Sequence, residues 1–153
     1  MDKTNVMRIL DQKKIKYQAH FYDNTITNGM EVANALNLDP NKVFKTLVTV
    51  GASKRNYVFV VPVNSELDLK KSASLANEKS IEMIKSKELL DLTGYIHGGC
   101  SPIGMKKPFR TFMNESALNF DNVLFSAGKI GYQVEMNPND LKKLINITFA
   151  LII

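Results

Sequence analysis

Phe44-Lys45-Thr46-Leu47-Val48-Thr49-Val50 and Tyr57-Val58-Phe59-Val60-Val61-Pro62-Val63 are rich in β-branched and aromatic residues, and the polar stretch Gly51 to Asn56 lies between them. Two such runs joined by a short polar connection read as a β-hairpin, and both should be central strands of a sheet. Period-two alternation puts Lys45, Leu47 and Thr49 on one face and Phe44, Thr46, Val48 and Val50 on the other. An ammonium in a buried strand therefore has to reach either the sheet edge or a cleft.

Working outward toward the N-terminus, Asp39-Pro40 opens a short turn, and Asn28 with Glu31 three residues later resembles a capping box for a helix through Val32, Ala33 and Leu36. Ile15, Tyr17, Ala19 and Phe21 alternate with polar neighbours as in a half-buried strand. Thr4 can cap a first helix carrying Val6, Met7 and Leu10 that ends near Lys14. Toward the C-terminus, Asp68 can cap a helix from Leu69 to about Ala76. A second helix near Ser86 to Leu92 would end at Gly94 in the left-handed conformation. Short strands are expected near Thr111 to Asn114, Val123 to Ser126 and Tyr132 to Met136, and Asn137-Pro138 starts a final helix with Leu141, Leu144 and Ile145 inward. The mixture is α+β with a mixed or antiparallel sheet, because only some strands are separated by helices.

The chain has 153 residues, 44% hydrophobic and 23% charged, so residues 1–153 are expected to form a single domain with one core. That composition excludes disorder, collagen and coiled coil. The apolar run within Tyr57 to Val63 falls far short of the roughly 20 residues that cross a bilayer. Charges sit where a signal peptide would be apolar, so the expected location is the cytosol, with no membrane partner. One cysteine, Cys100, forbids an intramolecular disulfide, and two histidines with it offer little for a metal site. A net charge of +5 permits a polyanionic partner without requiring one.

The strongest chemical signal is Gly98-Gly99-Cys100-Ser101-Pro102-Ile103-Gly104, entered from the strand-like Tyr95-Ile96-His97. Such a loop is either a tight structural turn or a cradle whose amides hold a phosphate or an oxyanion. No Gly-Lys-Ser/Thr closes it, so it is not a Walker loop. Lys45 can snorkel or can hold a phosphate or polarise a carbonyl in a cleft. His20 and Tyr22 share a strand face, so an imidazole and a phenol can sit together there; His97 adjoins the glycine loop. Cys100 has no general base nearby in sequence and reads better as a small residue in a turn than as a nucleophile. Lys106, Lys107 and Arg110 can receive a sugar-phosphate chain or form a solvated loop.

In order along the chain, Val43-Phe44-Lys45-Thr46-Leu47, Leu67-Asp68-Leu69-Lys70-Lys71, Thr93-Gly94-Tyr95 leading into Gly98 to Gly104 with Lys106-Lys107, and Ser126-Ala127-Gly128-Lys129-Ile130-Gly131 resemble the YbaK-type aminoacyl-tRNA deacylases. These are relatives of the editing domain inserted in bacterial prolyl-tRNA synthetases. The resemblance implies an α+β fold around a mixed, partly closed sheet flanked by helices. It also implies a freestanding enzyme that removes cysteine mischarged on proline tRNA: a hydrolase by outcome, or a lyase if the substrate cyclises. The partners implied are the 3′ end of aminoacyl-tRNA and prolyl-tRNA synthetase; no cofactor and no metal are implied.

Carried over residue by residue, the resemblance gives Lys45 the terminal adenosine phosphate and puts amides of the loop, with Gly98, Gly99 and Ser101 as catalytic residues, around the aminoacyl carbonyl. Tyr22, Cys100, Gly104 and Gln133 are its substrate-binding positions. The implied nucleophile is the substrate's own thiol, which would close a thiolactone. Two positions depart from the pattern: Gln133 stands where an acidic residue is frequent, and an amide can bind but cannot act as a base. His97 stands where an apolar residue is expected. Two alternatives remain open, a deacylase for another small amino acid such as alanine, and a non-catalytic RNA- or nucleotide-binding module of the same fold.

Overall fold

A computed structural model of the chain describes residues 2–153. The hairpin forms as the sequence indicates: β2 (Phe44–Gly51) and β3 (Asn56–Pro62) pair antiparallel from Phe44 opposite Pro62 to Val50 opposite Asn56. They lie inside a five-stranded sheet of order β4-β2-β3-β5-β8, with β4 (Ile81–Met83) antiparallel to β2. β5 (Arg110–Asn114) and β8 (Ile147–Ala150) continue the sheet in parallel from β3. A second, antiparallel sheet has the order β1 (Gln18–Phe21), β7 (Tyr132–Met136), β6 (Val123–Ser126). A single parallel bridge, Val43 to Leu124, joins the two sheets. The α+β class with helices flanking mixed strands holds, but the one partly closed sheet is resolved into two.

Tyr57 to Val63 is continuously apolar because the hairpin is covered on both faces. Phe44, Val48, Val58 and Val60 face the main core, packed with Phe125, Val134 and Met136 of the second sheet and with Val6, Met7 and Leu10 of α1 (Asn5–Gln12). Tyr57, Phe59 and Val61 face a smaller core under α3 (Leu69–Ala76), where the Phe59 and Phe112 rings stack at 5.2 Å. The helix starts follow their capping residues. Thr4 accepts from the Met7 N–H, Asn28 from Met30 and Glu31 at the start of α2 (Gly29–Ala35), and Asp68 from Lys71. Each cap satisfies backbone donors that the first helical turn leaves unpaired.

Three local expectations are corrected. The final helix is a 3₁₀ segment, Pro138–Lys143, which stops early because the chain turns to form β8. Neither β4 nor β8 was anticipated: each is an edge strand of three or four residues, held by pairing with a neighbour rather than by its own pattern. Tyr95-Ile96-His97 is not a strand. α4 (Leu89–Thr93) ends at Gly94 with φ +82°, and the Tyr95 hydroxyl donates to the Ile103 carbonyl at 2.5 Å, folding the segment back on the loop it opens.

Candidate active site

The ends of several elements meet around a cleft of about 140 Å³. Lys45 and Thr46 come from the start of β2, Gln133 from β7, Ser126 from the end of β6, and Tyr22 from just past β1. Gly98, Cys100 and His97 close the cleft from the glycine loop, with Thr27 and Gly29 opposite. A cleft of this size, open to solvent at its mouth, admits a small polar group such as an aminoacyl moiety. No Asp or Glu lines it.

Three buried side-chain atoms among the described residues have no hydrogen-bond partner: the Tyr22 hydroxyl, the Thr46 Oγ1 and the Gln133 Oε1. All three residues line this one cleft. An unpartnered buried polar atom costs about 1–3 kcal/mol, so three in one cavity mark a place where a polar guest, water or ligand, completes the bonding. Lys45 is half-buried beside them and takes part in none of the ion pairs formed among the described residues. The cleft wraps round this end of β2, so residues from both faces of the strand reach it. Lys45 therefore lines the cleft despite the alternation that separates it from Thr46.

The loop's backbone is shaped by one turn. The Gly99 N–H donates to the Ile96 carbonyl at 3.0 Å, and Gly98 in the third position of that turn has φ +87°. A side chain there would be strained, and its Cβ would also sit 3.0 Å from Thr27. A Cβ on Gly99 would stand 3.2 Å from the Ile130 nitrogen, in the segment between β6 and β7. The Gly99 amide is thus engaged in the turn, whereas the sequence reading places it among the donors around the aminoacyl carbonyl. Gly98 and Cys100 contribute no N–H to the loop's own backbone hydrogen bonds among the described residues.

The structure brings together Tyr22, Lys45, Gly98, Cys100 and Gln133, and leaves Gly99, Ser101 and Gly104 outside the cleft lining. Ser101 is fully buried, and its hydroxyl accepts from the Ile103 N–H at 3.3 Å, which makes it a brace of the loop. Gly104 lies against Ile9 and Asn5 of α1 and lines a different cavity. That cavity is larger, about 500 Å³, and has Lys107, Phe109 and Lys142 in its wall. None of the unpartnered buried atoms belongs to it. His20 and Tyr22 do not sit together: the His20 Nε2 lies 2.8 Å from the Glu135 Oε1 on β7, and Lys42 donates to the other Glu135 oxygen at 3.2 Å. Arg110 stacks its guanidinium 4.7 Å over Phe112, and Lys106 and Lys107 are exposed.

Thr27, Thr46 and Ser126 went unassigned as site residues in the sequence. Alternation placed Thr46 on the face opposite Lys45, and nothing local told of a cleft at the strand's end. Burial pushes the Cys100 thiol up to about 12, only partly offset by a hydrogen bond with Thr93. Near neutral pH that leaves on the order of one thiolate in 10⁵, too few for a nucleophile. Burial also pushes the Tyr95 phenol up to about 12. Burial alone would raise the Glu135 carboxyl, but hydrogen bonds from His20 and Lys42 outweigh it and hold the group below its usual value. Among the described residues no cluster of three or more His, Cys, Asp or Glu is placed to hold a metal, and no helix is long and apolar enough to cross a membrane.

Residues 24–144 match the family model of the aminoacyl-tRNA editing domain, and the chain belongs to that family. It is 43% identical over 150 residues, 97% of this chain and 92% of the relative, to EbsC of Enterococcus faecalis (strain ATCC 700802 / V583), whose name provisionally gives it as a Cys-tRNA(Pro)/Cys-tRNA(Cys) deacylase. It is 23% identical over 113 residues, 74% of this chain and 71% of the relative, to the uncharacterized protein YwhH of Bacillus subtilis (strain 168). Among solved structures it superposes with TM-score 0.84 and 23% identity on a protein described, again provisionally, as a trans-editing enzyme for prolyl tRNA synthetase, covering 99% of this chain and 98% of that one. At that identity the likeness shows the fold.

Proposed function

We propose that the chain is a trans-acting deacylase that removes cysteine from mischarged proline tRNA. The observation that carries this reading is the convergence of three unpartnered polar atoms and one unpaired lysine on a cleft without a carboxylate. The α-ammonium of an aminoacyl ester carries three donors and finds acceptors in the Gln133 Oε1, the Thr46 Oγ1 and the Tyr22 hydroxyl. Lys45 is a compact cation for the phosphate of the terminal adenosine or for charge developing on the ester. The amides of Gly98 and Cys100 are the candidate oxyanion donors.

The one thiol in this cleft is a poor nucleophile, since burial keeps Cys100 protonated. In the proposed reaction the substrate's thiol sulfur attacks its own ester carbonyl. The carbon–oxygen bond to the ribose breaks, the ribose oxygen takes the proton lost by the thiol, and a cyclic thiolactone leaves the tRNA. Holding sulfur and carbonyl in a cleft of this size supplies proximity, and the amides supply charge stabilisation. The likeness to EbsC supports the substrate class, and prolyl-tRNA synthetase is the partner that would bring the tRNA in. The test is release of cysteine from Cys-tRNA(Pro) by purified protein, beside Ala-tRNA and Ser-tRNA. The account expects cysteine to be released fastest, and release no faster than in buffer would overturn it.

A further inference from the structure

The larger cavity, about 500 Å³, is not used by the proposed reaction, and its size is that of a small-molecule site, roughly 300–1,000 Å³. Pro102, Ile103 and Gly104 line it from the exit limb of the glycine loop, and Leu144, Ile145 and Asn146 from the segment before β8. Ile9, Met105, Phe109, Leu144 and Ile145 pack on the main core but are only partly buried, and all five line this cavity. Scattered exposed apolar side chains are ordinary; five that share one concave lining leave apolar surface that a guest would take out of water. The charge of the lining is of one sign. Lys107 and Lys142 belong to it, no Asp or Glu does, and neither lysine takes part in an ion pair among the described residues. Lys143, next in sequence, pairs with Asp140 at 3.0 Å and does not line the cavity. The Lys142 ammonium lies 5.5 Å over the Phe149 ring. The Thr111 hydroxyl donates to the Phe109 carbonyl, so the side-chain groups left to a guest are the two ammoniums and the Asn146 amide, all able to donate.

We propose that this cavity is a second ligand site, for a small amphipathic anion whose apolar body lies against the half-buried side chains and whose carboxylate, sulfonate or phosphate head meets Lys107 and Lys142. A nucleic-acid strand fits the same lysines less well. Its sugar-phosphate chain would leave the apolar wall uncovered, and Lys106 and Arg110, the other cations of the run after the glycine loop, do not line the cavity. The inference does not depend on the deacylase reading, which concerns the other cleft.

The direct test titrates anilinonaphthalene sulfonate, an aromatic amphipathic anion whose fluorescence rises out of water, into the folded protein and follows the same titration by amide NMR. Wild type should bind it saturably, with the shifted amides clustered in residues 102–109 and 142–146. Both lysines are exposed, so the double variant Lys107→Ala, Lys142→Ala should fold as wild type does. It should bind the probe roughly tenfold more weakly or worse. Phenylnaphthylamine, with the same apolar body and no charge, should bind wild type as weakly as the sulfonate binds the double variant. An RNA hairpin should not displace the probe. Displacement by the RNA would overturn the proposal in favour of a nucleic-acid surface. Absence of saturable binding, amide shifts elsewhere, equal binding of the neutral probe, or unchanged affinity in the double variant would each overturn it as well.

Discussion

Lys45→Ala removes an ammonium that is half-buried yet takes part in no ion pair among the described residues, so the fold should not miss it. Deacylation should fall by roughly a hundredfold or more while the thermal midpoint stays put, and Lys45→Arg should restore little because a planar fork replaces a compact charge. Activity surviving in Lys45→Ala would mean that the side chain merely reaches solvent. Gly99→Val should lose activity by another route. Its Cβ would press on the Ile130 backbone at 3.2 Å, and a branched side chain must push the loop off the segment between β6 and β7. A kinetic assay with a melting curve separates the two variants, since only Gly99→Val should lower both. At this scale the sequence made Lys45 and the glycine loop visible, because a charge in an apolar strand and three glycines in seven residues break local rules. It hid Thr46 and Ser126, ordinary residues for a strand, and it could not show that the Gly99 amide closes a turn.

The caps and the cross-strand ion pair act through elements and not through the chemistry. Asp68→Ala deletes the acceptor for the Lys71 N–H at the start of α3 and should cost about 1 kcal/mol in urea unfolding, with kcat unchanged, because no residue of α3 lines the cleft. Lys42, in the 3₁₀ turn Pro40–Lys42 before β2, reaches Glu135 on β7, so this pair ties the strand carrying Lys45 to the strand carrying Gln133. The Glu135 carboxyl is held below the usual 4.5 in the folded chain. Its contribution to stability is therefore complete above that value and is lost as pH falls through the lower folded value. Unfolding free energies of wild type and Glu135→Gln should differ near neutral pH and converge in acid; a gap that persists in acid would show that the charge is not what matters. Most elements were legible from caps, alternation and β-branched runs. The edge strands β4 and β8 and the split into two sheets were not, because pairing between distant segments sets them.

A net charge of +5 on 153 residues gives general attraction for RNA but limited surface with which to read one tRNA body. Isolated protein should deacylate Cys-tRNAs of several kinds, with apparent affinity weakening as salt rises, and prolyl-tRNA synthetase should supply the selectivity. Strict preference of the isolated chain for proline tRNA would contradict this. The origin of the nucleophile sets a sharper condition on the whole catalyst. A serine ester is nearly the same size as a cysteine ester and should fill the same cleft, yet its hydroxyl is a far poorer nucleophile than a thiol. The most direct measurement is therefore single-turnover deacylation of Cys-tRNA(Pro) and Ser-tRNA(Pro) by wild type and by Cys100→Ala, with mass spectrometry of the protein during turnover. The account predicts fast loss of cysteine and slow loss of serine with both proteins, and no acyl group on either. An acyl adduct on Cys100, with cysteine release abolished in Cys100→Ala, would contradict it.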